Sequence, residues 1–233
     1  MPPVTSILLQ GLKEAFTLII TGDRGLIEIT FRAITVSGLA TVLASCWSIP
    51  FGVFLGLGSF KGRQFLKGVF NAIMGVPAVA IGLLFYLILS RSGPLGSLQL
   101  LYTPAAIIIG QSVLITPILV SLLAATVETV DPDIKRLALT LGASELKANL
   151  TVLGESMGGI LLSISASFNR AIAELGVALM LGGNIRGATR VLTTVIALET
   201  GRGAIPLGIS LTVVLIGIVG VMNALLYIAQ RWL

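Results

Sequence analysis

Four stretches of this chain, residues 33–60, 68–90, 92–127 and 203–230, contain no charged residue. Each equals or exceeds the roughly 20 residues that a helix needs to cross the hydrocarbon of a bilayer. In that medium every backbone N–H and C=O must find its partner inside the segment, which a helix provides and an open strand does not. The runs therefore predict an all-α, polytopic membrane protein. Composition agrees, since 11% of the 233 residues are charged, against about 25% in ordinary soluble domains.

Charge sets the topology, because Lys and Arg collect in cytoplasmic loops. Lys61, Arg63 and Lys67 stand without an acid in residues 59–67, and Lys135, Arg136 and Lys147 follow the third apolar run, so both segments are assigned to the inner side. Spans are expected over about residues 34–57, 70–89, 104–126, 156–181 and 206–230, five in all, with Arg231 returning inside. Pro77 and Pro117 fall within two of them and predict kinks. Residues 1–25 precede the first span. Apolar residues in 7–20 recur at helical spacing around Gln10, Lys13 and Glu14, which predicts a short helix at the interface. This segment lacks the basic region and small-residue cleavage site of a signal peptide, so it is expected to be retained. The net charge of +5 is read as topology, not as nucleic-acid binding, although Arg186, Arg190 and Arg202 fall outside against the charge rule.

Residues 131–160 form a polar island between apolar runs. The pattern predicts an amphipathic helix near 134–141, a turn at Gly142, where a missing Cβ permits tight geometry, and a second helix near 144–153. Pro132 and the acids beside it fit the signals that start a helix. A membrane chain has use for such a segment only if something outside the bilayer engages it.

The fourth expected span holds Arg170 and Glu174, an ionisable pair that is costly in hydrocarbon unless partnered or hydrated. Ser156, Ser163, Ser167, Arg170 and Glu174 share a sector of roughly 60° on a helical wheel. This face is either a packing stripe with a self-neutralising pair or the wall of a hydrated pathway, with Arg170 attracting an anion and Glu174 holding it in place. The outer segment, residues 182–203, is Gly-rich, with a short helix expected near 192–199. Its GGNIRGAT run imitates a phosphate loop but has Ala188 where that loop needs Lys, so nucleotide binding is rejected. Arg186 and Arg190 could draw oxyanions to an outer mouth, or simply meet solvent and lipid headgroups. Gly52 and Gly56 predict close helix packing, and Glu28 and Arg32 an ion pair at a helix entrance.

The chain has no His, and Cys46 stands alone in an apolar run. Without a cluster of Cys and carboxylates a metal site is not expected. No catalytic triad or cofactor fingerprint is present, so catalysis by this chain is not expected.

The passage around Gly142 resembles the coupling loop of ABC importer permeases, patterned as Glu-Ala-Ala, three residues, Gly, nine residues and Ile-x-Leu-Pro. Aligning that Gly to Gly142 places Arg136-Leu137-Ala138 at the Glu-Ala-Ala and Val152-Leu153-Gly154-Glu155 at the end. Ala138 to Ser144 fits, while the initial Glu and final Pro are absent. Asn169 to Gly176 is similar to the Arg-x-x-x-Glu-Phe/Leu-Gly segment of molybdate and tungstate permeases, and residues 182–203 look closest to the tungstate branch.

Residues 1–233 are read as one transmembrane domain, and the resemblance, which covers most of the chain from Leu26 onward, implies the type I ABC importer permease fold with residues 131–155 as its coupling loop. Arg136, Ala138, Leu141, Gly142, Ala143, Ser144 and Leu146 would then face the ATPase, and Ser163, Ser167, Arg170 and Glu174 the translocation pathway. Implied partners are a second copy of the chain, a cytoplasmic ABC ATPase dimer, an extracytoplasmic oxyanion-binding protein and membrane lipid. No cofactor is expected on this chain itself, ATP and Mg being used by the ATPase, in the cytoplasmic membrane of a prokaryote. Tungstate is the first expectation, with molybdate, sulfate or another small solute as alternatives. A self-sufficient secondary transporter or channel using Arg170 and Glu174 is the reading of a different class, disfavoured by the lack of an inverted repeat.

Overall fold

The computed structural model describes residues 3–230, so Arg231, expected on the inner side, lies outside the described residues. Helix α1 (Val4–Thr21) ends at Gly22, whose φ of 61° is left-handed. At 18 residues, the segment expected at the interface is one of four helices among the described residues long and apolar enough to cross a membrane. It packs along the last helix, α11 (Ile205–Gln230). The fit depends on Gly11, where a Cβ would stand 2.7 Å from Cβ of Ile209.

Helix α2 (Arg24–Leu57) starts where the Asp23 carboxylate accepts the Leu26 N–H at 2.8 Å, a side-chain cap that satisfies an otherwise orphan donor. Its last turns lie against α5 (Pro104–Glu128), forming the central helix pair of the molecule. Gly52 and Gly56 make this approach possible, since added Cβ atoms would stand 2.7 Å from Leu123 Cβ and 2.8 Å from Val127 Cβ. Ile115, Leu119 and Leu123 of α5 are buried with Ala44 of α2, and Ile160 and Ala171 complete that cluster.

Two expected spans are broken. The second, with a kink at Pro77, is instead a corner: α3 (Arg63–Ile73) and α4 (Ala78–Leu89) meet at 91°. Pro77 lies just before α4 with extended backbone; lacking an N–H, it cannot continue the ladder of α3. Pro117, by contrast, is accommodated inside α5.

The polar island folds as α6 (Pro132–Thr140) and α7 (Glu145–Glu155), capped by Asp131 and Ser144. A 62° bend then leads to α8 (Met157–Ile172). The fourth expected span does not continue to residue 181, because the chain breaks after α8 and restarts as α9 (Gly176–Gly182). Helix α10 (Leu192–Gly201) is the short outer helix. Among the described residues there are, by length and composition, four helices able to span, or up to six spans if each bent pair is one.

Side-chain bonds show which polar segments share an end of the molecule. Arg63 and Lys67, from the first inner segment, both pair with Glu128 at the end of α5, where the second begins. Arg32, near the start of α2, donates to Gly187 O at 3.0 Å and Arg190 O at 3.1 Å, fastening the outer segment at the other end.

Candidate functional site

At the inner end, α6 and α7 meet at a corner whose turn depends on Gly142, with φ 87°. Gly142 N–H donates to Leu139 O and Ala143 N–H to Ala138 O, each at 3.0 Å, satisfying the last carbonyls of α6 as helix-ending turns do. Lys135 and Glu145 bridge the two helices at 3.0 Å, and Arg136 pairs with Asp133 at 2.8 Å. Arg136, Leu141, Gly142, Ser144 and Leu146 are exposed, and Ala138 and Ala143 half-buried. The structure thus gathers all seven residues expected to couple to an ATPase onto one corner. Leu137 and Leu150 join Leu141 and Leu146 there, all four 57–79% exposed.

The intramembrane pair is made as expected: Arg170 Nη1 donates to Glu174 Oε2. The setting differs, because Glu174 sits at the break between α8 and α9. Its Oε1 accepts the backbone N–H groups of Gly176 at 2.7 Å and Val177 at 3.3 Å, and its backbone carbonyl accepts the Thr193 hydroxyl at 2.9 Å. The carboxylate therefore caps α9 as well as pairing with Arg170. Ser163 and Ser167 do not join an open wall. Both are buried, bonded to the carbonyls of Gly159 and Ser163 in their own helix. Within this chain, this part of the polar stripe packs inside. Arg170 is the member that reaches solvent-accessible space, its side chain 38% exposed against 4% for Glu174.

At the outer end, Arg186 and Arg190 lie in a turn, not on a helix. With Arg32 they line a cavity of about 280 Å³ that also contains Asp23, Glu28 and Glu199. Glu28 pairs with Arg32 at 2.6 Å and Glu199 with Arg202 at 3.1 Å, while Asp23 caps α2. Three guanidinium groups thus face three carboxylates, a balance that weakens focusing of anions by the arginines alone. The Nε of Arg190 is buried without a hydrogen bond.

Several contributors were not found from sequence. The ion pair of Arg32 with Glu28 forms as its spacing predicts, and Arg32 is in addition the bracket that holds the outer loop. Gln111, fully buried on α5, donates to Ala171 O at 3.1 Å and so holds α8 just before its break. Asn223 of α11 accepts from Ser165 at 2.9 Å and Asn169 at 2.8 Å. A polar residue within an uncharged run was the available signal for both. The break at Glu174 could have been suspected from Gly176, the first residue of α9. No group of three His, Cys, Asp or Glu suited to a metal ion occurs among the described residues.

Residues 48–233 match the family described as binding-protein-dependent transport system inner membrane component. A tungstate uptake system permease protein of Peptoclostridium acidaminophilum is 37% identical over 222 residues, 95% of this chain and 97% of the relative. A probable anion ABC transporter permease protein of Haloferax volcanii is 38% identical over 205 residues, 86% of this chain and 88% of the relative. In fold, the chain is similar to a chain of the inward-facing MetNI methionine ABC transporter, with TM-score 0.72 at 13% identity, covering 89% of this chain and 95% of that one.

Proposed function

We infer the function from membership: the chain belongs to the family of binding-protein-dependent transport system inner membrane components, and is a permease of the ABC transporter kind. On that premise, it is the subunit that carries a tetrahedral oxyanion, tungstate first, inward across the cytoplasmic membrane, driven by ATP hydrolysis on a separate subunit. What supports the substrate is the tungstate permease relative, alike along nearly the whole chain. What supports ATPase coupling is the corner of α6 and α7, whose four exposed leucines surround a turn at the inner end. In this reading the ATPase cleft receives that corner, and the 62° bend into α8 carries cleft closure to the break at Glu174. A second copy of the chain supplies the other half of the passage, lipid surrounds both, and an outer binding protein delivers the anion near the cavity of Arg32, Arg186 and Arg190.

The substrate is tested by competition. Cells expressing the permease with its neighbouring ATPase and binding protein should accumulate labelled tungstate, and unlabelled tungstate should suppress uptake at lower concentration than molybdate or sulfate. Preferred uptake of molybdate or sulfate would reassign the substrate, and preferred uptake of an amino acid would overturn the oxyanion reading.

A further inference from the structure

Arg170 and Glu174 are unequal partners. The carboxylate is nearly inaccessible and divides its oxygens, one accepting the N–H groups of Gly176 and Val177, the other the guanidinium. Its hydrogen bonds from Gly176 and Val177 and its 4% exposure hold it at the break. The point where a Cβ on Gly176 would stand lies 2.8 Å from Val79 Cγ2, 3.1 Å from Val79 N and 3.2 Å from Glu174 Oε1. The Arg170 side chain is 38% exposed, and Glu174 is its one hydrogen-bond partner among the described residues. A guanidinium has five N–H donors in a planar fork, so several remain open toward the accessible side. Arg170 also stands about 20 Å along α8 from Met157, between uncharged runs, where a lone cation would be costly. Glu174 removes that cost without using up the donors.

We propose that Arg170 is a masked receptor for the transported oxyanion, and that Glu174 is its mask. This rests on the oxyanion reading above. A tetrahedral dianion presents two oxygens to the guanidinium fork and carries more charge than the carboxylate, so it displaces Glu174 from Arg170. Glu174 keeps its two backbone N–H bonds during the exchange and is never left without partners. Its negative charge then faces the guest at short range and favours release as Arg170 returns. A passage site must bind strongly enough to admit the ion and weakly enough to let it leave, and an internal competing carboxylate supplies that compromise.

The test uses the permease assembled with its ATPase in lipid nanodiscs, and measures retention of labelled tungstate by equilibrium dialysis. Glu174→Gln preserves an oxygen to accept from Gly176 and Val177 but removes the competing charge. It should retain tungstate about tenfold more tightly than the unaltered protein, the effect of losing one charge-assisted hydrogen bond, and should turn over more slowly in vesicle uptake. Arg170→Lys should retain less, and the double variant Arg170→Gln with Glu174→Gln, which leaves neither charge alone, should retain none. A gain in retention is not something a merely structural ion pair yields when broken. Equal or weaker retention by Glu174→Gln, or undiminished retention by the double variant, overturns the mask while leaving oxyanion transport intact, provided unaltered vesicles accumulate tungstate. Vesicles of the unaltered protein that accumulate no tungstate overturn both.

Discussion

Replacing Gly142 should uncouple the permease from its ATPase without unfolding it. Gly142 adopts φ 87°, and nothing lies within 4 Å of the position a Cβ would take. A substitution therefore meets no clash, and its cost is conformational alone. Holding an L-residue in the left-handed region costs about 1–2 kcal/mol, with a β-branched residue at the upper end. That corresponds to a factor of about 5–30 in the population of the native turn. Losing the turn releases the bonds to Leu139 O and Ala138 O and changes the placement of Leu141 relative to Leu146. Because the corner is exposed and outside the core, the melting temperature in detergent should hardly move. Asn, which tolerates this region better than other residues, should retain most activity, Ala less and Val least. The assay is the ATP hydrolysis of the assembled complex and co-purification of the ATPase at limiting concentration. Equal coupling by the Asn, Ala and Val variants would refute the claim that this turn sets the docking geometry.

Gly56→Val should lower the melting temperature of the purified protein by a cost of about 1–3 kcal/mol, because its Cβ would press on Val127, whereas Gly217→Ala, with open space around it, should not. Arg63→Met should destabilise by about 1–3 kcal/mol, since Arg63 also donates to Leu55 O at 2.6 Å and Gly56 O at 2.7 Å. Glu128→Gln should cost less in the same thermal assay, as those carbonyls stay held. Arg32→Ala should free the carbonyls of Gly187 and Arg190 and raise hydrogen exchange across residues 185–190 by about tenfold, with no change in exchange at α5.

The membrane character and both charged ends were legible from patterns along the chain, because uncharged run length and cation placement answer to the bilayer and not to tertiary contacts. Gly52 and Gly56 were legible as packing positions for a similar reason, since a missing side chain admits a neighbour whichever helix that proves to be. The breaks were less legible. A helical wheel assumes one continuous helix, and the stripe from Ser156 to Glu174 looked like a single face because of that assumption. Burial of Ser163 and Ser167 depends on where α5 lies, which no local spacing encodes. Pro77 was recognised as a perturbation, but whether a proline kinks or ends a helix depends on what its neighbours can pack against, and here α4 turns away at 91°. The bracket formed by Arg32 joins residues 155 and 158 positions apart, beyond the reach of any motif.

On the proposed function, the chain conducts an oxyanion only as the membrane part of an ATP-driven assembly. Vesicles containing the permease alone, the permease with its ATPase, and both with the binding protein enclosed on the outer side can be compared for labelled tungstate uptake, each with and without ATP. The complete assembly should accumulate tungstate with ATP, and vesicles of the permease alone should accumulate none. Uptake by the permease alone, without ATP, would contradict it and identify a self-sufficient transporter or channel.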